Sequence, residues 1–322
     1  MNVIHEYLRG RSEAFVKLEE VRRLGWSNPH GDTHFQQQRK RADTATADER
    51  RLFFNMIGEE MQAATSAIRI QEEDLWSWML VHAMTLPKQL GGHPLLISHG
   101  NRNPQVNVRF LDITKLGLEY GLRLEELEPD MSAEQPYPNL QCDLVFCDGQ
   151  ILRTNEAHRD PNREKHAATR LTCSQLILAM NRMKQGGTLI MLLHKAEAWN
   201  TLELLATFAE FSDLQVFKPF KKHATRSSFY LVARNVQPGF AAARLAVEKG
   251  KLSWRHASIG PGPSASPAEN ADSKEQEAVS RVLETFGEQF VQLLNPIWDI
   301  QRAAIERAPW FKASTIKSEL ST

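Results

Sequence analysis

The sequence predicts an α/β fold: a mostly parallel sheet with a terminal antiparallel strand, plus helices at both ends of the chain. Three observations predict it. Leu144 to Cys147 and Leu189 to Leu193 are short, almost continuous apolar runs, the pattern of strands covered on both faces. A charged connection, Arg153 to Arg170, and an apolar helix over Leu171 to Met183 separate them, enough chain for a parallel crossover. Leu214–Phe217 and Phe229–Ala233 are joined only by Lys218 to Arg226, too short for a helical crossover, so these two strands pair antiparallel.

The remaining elements follow in order. Ile4, Leu8, Phe15, Leu18, Val21 and Leu24 recur at helical spacing, predicting a helix over 4–24 with Gly25 as its stop. A second helix is predicted from Asp48 to Ala64 and a strand at Met79–Met84. Pro87 and Gly91-Gly92 mark a turn, Pro94–Ile97 a short strand, and Val106 to Asp112 alternates as a strand should. Leu116 to Leu127 has helical amphipathicity; Met131 to Pro138 is a proline-rich loop. Gly186-Gly187 is placed as the stop of the 171–183 helix. Helices are further predicted over 198–211, 239–250 and 274–307, the last two separated by a Gly/Pro/Ser/Ala linker over 258–273.

Composition narrows the function classes. The 322 residues hold one sizeable α/β domain with extra helices, and no apolar run is long enough to span a bilayer. Met1 to Arg11 has no apolar segment of a secretory signal, and Cys142, Cys147 and Cys173 lack metal-ligand spacing, so cytoplasm or nucleus is the expected location. His30 and His34 have the spacing of a helical metal pair but sit in a polar loop beside Gly31, so no metal is expected. Net charge is zero, so nucleic acid would have to be met by local basic patches. One such patch is Lys218, Lys221, Lys222 and Arg226, with Phe220 among them, suited to RNA phosphates or to an ordinary solvated loop.

Two strands end in charged residues, Asp148 and Lys195. In open α/β sheets, ligands bind at the carboxyl ends of strands. The pair is therefore either a site or a structural ion pair. His194 is expected to face the opposite side, in the core.

Arg11-Ser-Glu-Ala-Phe-Val-Lys17-Leu-Glu-Glu20 resembles the "RSRAxxKLxE" helix of the FtsJ (RrmJ-like) ribose 2′-O-methyltransferases, and Arg226-Ser-Ser228-Phe-Tyr230-Leu-Val-Ala233 resembles their "SxExYxVA" strand. The resemblance covers the first helix and residues 79–236, and implies a Rossmann-like methyltransferase fold. It places the family's Lys-Asp-Lys-Glu site at Lys17, Asp148, Lys195 and Ser228, the last standing where the family has Glu. It implies S-adenosylmethionine as cofactor, with Asp112 and Asp148 toward it, and RNA as partner. The family's "GxxPGG" loop has no counterpart, because no glycine occurs from Glu59 to Leu90.

The chemistry is plausible on its own terms. A ribose hydroxyl must lose its proton to attack a sulfonium methyl, and free lysine titrates near about pH 10.4, too high for an efficient base. Burial or a second cation lowers that value and a carboxylate raises it, so two lysines and a carboxylate make a tunable base. Lys195 is assigned as base, Asp148 as its partner and Lys17 as the group polarising the hydroxyl. The expected organisation is residues 1–64 as a helical extension, 65–237 as the methyltransferase core, 238–257 as helix, 258–273 as linker and 274–322 as a helix that packs on the core or meets another protein. The alternative is a catalytically inactive protein that keeps the fold and binds RNA or protein.

Overall fold

A computed structural model describes residues 2–26, isolated positions between 37 and 52, residues 80–92 and 95, and residues 103–151, 166–220, 223–260 and 271–311. The predicted 48–64 helix and 94–97 strand therefore fall largely outside the described residues, as do His30, His34, Lys221 and Lys222.

Two helices, α1 (Val3–Arg9) and α2 (Glu13–Trp26), replace the single one predicted over 4–24. The Asn2 side chain caps α1 by accepting from the Ile4 amide at 3.1 Å. Ser12 restarts the chain as α2, its hydroxyl accepting from the Phe15 amide at 3.0 Å. Ile4 and Leu8 on α1 and Phe15, Leu18 and Val21 on α2 are all buried in one core.

Strands β1 (Val81–Thr85) and β2 (Val106–Phe110) pair in parallel. A second sheet has the spatial order β3 (Cys142–Cys147), β4 (Met183–His194), β6 (Ser228–Val236), β5 (Asp213–Phe217). Strands β3 and β4 run parallel, while β6, last in the chain, is inserted between β4 and β5 and antiparallel to both. This is a mixed α/β, Rossmann-like arrangement. Leu189, Met191, Leu193, Phe229, Leu231 and Ala233 form one face of the sheet and pack into the main core. Helices α1, α2, α4 (Trp199–Ala209) and α6 (Ala271–Arg307) cover that face. The C-terminal helix is thus part of the core, with Phe290, Leu294 and Trp298 fully buried. It approaches α1 so closely that a side chain at Gly287 would collide with Tyr7.

Helix α3 (Ala167–Arg182) packs between the sheet and α5 (Ala241–Ile259). It ends at Arg182, not at the predicted glycine stop, because β4 begins at once with Met183. Gly186 and Gly187 lie inside β4, where a Cβ on Gly187 would sit 2.6 Å from the Met183 sulfur and 3.2 Å from the Asp143 carbonyl of the neighbouring strand. The predicted 116–127 helix is also absent: that stretch holds one short 3-10 turn, Leu124–Glu126, and follows another at Ile113–Lys115. Gly121 turns left-handed at φ 92°, folding Leu116, Tyr120 and Leu122 together onto Trp254 rather than along one helix face. The Trp254 indole donates to the Thr114 carbonyl at 3.0 Å, and this anchor accounts for α5 running to Ile259 instead of stopping at 250. Of the predicted 258–273 linker, both described ends are helical. All three cysteines are free, and burial pushes the Cys147 thiol up to about 12.

Candidate active site

The carboxyl ends of β3 and β4 form a lip. In their parallel register Cys147 lies opposite Met191, so Asp148 is one residue past the pair and Lys195 four. Asp148 is open to solvent on one side yet crowded by protein on the other. That loss of water pushes its carboxyl up to about 6, opposed by a hydrogen bond from the Tyr230 hydroxyl at 3.3 Å. The chain just beyond it is clamped by Gln175, whose side chain accepts from the Gly149 amide at 2.7 Å and donates to the Gly149 carbonyl at 3.3 Å.

Lys195 sits in the left-handed backbone region at φ 54°, a conformation costing on the order of 1 kcal/mol or more for a residue with a Cβ. Its amide donates to the Ser227 carbonyl at 3.1 Å, and its carbonyl accepts from the Ala198 amide at 2.9 Å and the Thr201 hydroxyl at 3.1 Å. These bonds hold the strained turn and expose the Lys195 side chain. His194, expected in the core, is exposed beside it.

The other candidates are placed differently. Lys17 lies on the outer side of α2, its side chain 55% exposed, and pairs with Glu13 at 2.6 Å. Among the described residues it has no polar contact with Asp148, Lys195 or Ser228. Arg22, on the inner face of the same helix, reaches the lip instead. It donates to Glu197 at 2.7 Å and to the Gln301 side-chain oxygen at 2.8 Å, and Gln301 in turn donates to the Thr225 carbonyl at 3.2 Å. Ser228 is buried, its hydroxyl 3.5 Å from His223 Nδ1. Asp112 caps its own turn, one carboxylate oxygen accepting from the Thr114 amide at 2.9 Å and hydroxyl at 2.7 Å.

Lys218 must be removed from the RNA-contacting set. It is 2% exposed, and its amine donates to three carbonyls: His223 at 3.3 Å, Arg226 at 2.6 Å and Ser228 at 2.8 Å. No N–H remains for a phosphate. Burial, with Arg22 nearby, lowers its amine to about 7. Arg226 remains exposed.

Tyr230, Gln175 and Arg22 are the site residues that sequence reasoning passed over. Each carried a signal: Tyr230 stood inside the "SxExYxVA" resemblance, while Gln175 and Arg22 are polar residues on the inner stripes of amphipathic helices.

A Rossmann-like sheet with an acid and an amine at its carboxyl lip has the form of a ligand-binding α/β domain. The particular class follows from comparison: residues 79–236 match the model of the FtsJ-like methyltransferase family. That stretch runs from just before β1 to the end of β6. No curated protein matches the chain.

Proposed function

We propose that this protein is an S-adenosylmethionine-dependent RNA methyltransferase acting on a ribose 2′-hydroxyl. The observation that carries the reading is the shared lip, with Asp148 and Lys195 at the carboxyl ends of adjacent parallel strands of a methyltransferase domain. Lys195, held outward by its strained turn, takes the proton from the hydroxyl. Asp148, ionised above about pH 6, orients it, and Tyr230 orients Asp148. Lys17, exposed on the outer side of α2 and paired with Glu13, stands apart from the lip and has no part in this step. Ser228, buried and turned to His223, contributes no charge.

FtsJ-like methyltransferases generally use S-adenosylmethionine, which supplies an electrophilic methyl group. The donor chemistry here suits it in part: Asp112 and Asp148, at the ends of β2 and β3, would take its hydroxyl and ammonium groups. The second oxygen of Asp112 makes no hydrogen bond among the described residues, so it is available.

A second reading, RNA binding without catalysis, is favoured by one specific feature. Between Glu59 and Leu90 no glycine offers the close backbone approach that the family's loop provides. Calorimetric titration with S-adenosylmethionine separates the two. Saturable heat is the expected result; silence at high protein concentration, with RNA still bound, would leave only the second reading.

A further inference from the structure

An imidazole and two basic side chains lie together on the outer rim of the lip. His194 pairs with Ser228 across β4 and β6, the Lys195 amide donates to the Ser227 carbonyl at 3.1 Å, and Arg226 immediately precedes Ser227. All three side chains are exposed, and none makes an ion pair or side-chain hydrogen bond among the described residues. The neighbouring charges are already committed. Lys218 is spent on three carbonyls, and Arg22 is spent on Glu197 and Gln301. The nearest acids have partners of their own: Glu197 is engaged by Arg22 at 2.7 Å, and Asp148 accepts from the Tyr230 hydroxyl at 3.3 Å.

Exposed basic side chains with no ion-pair partner among the described residues attract an anion. We infer that His194 and Arg226, beside Lys195, form a phosphate-binding rim, which takes one phosphodiester of the RNA backbone and binds one proton at His194 as it does so. This deepens the RNA reading by naming the subsite and its linkage. Crowding by the chain, then the Arg226 and Lys218 cations, holds the His194 imidazole below its ordinary 6.5. The groups facing it are Lys218, His223 and Arg226 from the β5–β6 connection, Lys195 and Glu197 from the turn after β4, and Arg22 behind Lys218. A phosphate set among them offsets the two cations and raises the imidazole's affinity for its proton.

The test is binding of an oligouridylate, whose bases do not titrate in this range, between about pH 5.5 and 8 at fixed salt. The expected result is a dissociation constant that falls about three- to tenfold toward the acid end. His194→Gln should abolish that slope while keeping the alkaline affinity within about twofold, and Arg226→Gln should weaken binding at both ends and reduce the salt dependence by about one phosphate contact. A slope that survives His194→Gln would overturn the inference and leave the RNA reading standing. In parallel, the His194 ring resonance is followed by NMR as inorganic phosphate is added. A raised titration midpoint without oligouridylate binding would keep the phosphate rim and remove RNA as its ligand, and no change with either probe would refute the rim.

Discussion

Arg22 and Arg226 approach the same lip from different sides and meet opposite fates. Arg22 is largely buried and divides its two nitrogens between Glu197 and Gln301, joining α2, α6 and the turn after Lys195. Arg226 lies exposed on the β5–β6 connection, with only its backbone engaged among the described residues. The same division runs through the molecule. Arg182 and Lys218 are consumed by the fold, whereas Lys195, His194 and Arg226 are left open at one edge of the sheet. Charges that the fold consumes report on stability, and those it leaves open mark where the molecule meets something else.

Substitutions can break or sharpen that contrast. The largest effect belongs to Arg182→Met, which strands Glu119, 4% exposed, without the guanidinium that pairs with it at 2.8 Å. Chemical denaturation should show a loss of about 3–5 kcal/mol. Arg22→Gln comes next, at about 1–3 kcal/mol, because the Glu197 partner is lost. Its expected signature is faster amide exchange in residues 195–201 than in β5, and unchanged exchange there would mean that the junction does not hold the lip.

Asp148→Asn tests the open class through pH. A carboxyl raised in the fold to about 6, from an ordinary 3.8, binds more protons folded than unfolded between those values. Its contribution to stability is therefore full below 3.8 and lost as pH rises through 6. The variant's melting temperature relative to wild type should rise across that window, and a flat difference would show Asp148 to be freely solvated. Smallest is Lys17→Ala, whose melting temperature should match wild type, because the pair it removes is exposed to solvent. Methyl transfer should stay near wild type, and a large loss would bring Lys17 back to the lip.

How far the sequence reveals these fates depends on where the partners lie. Strands β3 to β6 announce themselves because Leu, Ile, Val and Phe runs are local features, and the short Lys218–Arg226 connection allows only antiparallel pairing. Residues 116–127 mislead, since Leu116 and Tyr120 keep helical spacing while Gly121 turns the chain back on itself. Lys218 looks like Lys221 and Lys222 in a basic run. What distinguishes it is three carbonyls returned to it by a turn, and no pattern of side chains encodes that. Lys195 was legible as a strand-end residue, but its left-handed backbone follows from what Ser227, Ala198 and Thr201 hold in place.

The account stands most directly on whether the open lip performs chemistry. RNA incubated with S-adenosylmethionine and the full-length protein, then digested to nucleosides, can be read by mass spectrometry. The account predicts a 2′-O-methylated nucleoside with wild type and at least about a hundredfold less with Lys195→Met, whose melting temperature stays near wild type. Equal methylation by Lys195→Met, or a methyl group on a base instead of the ribose, would contradict it.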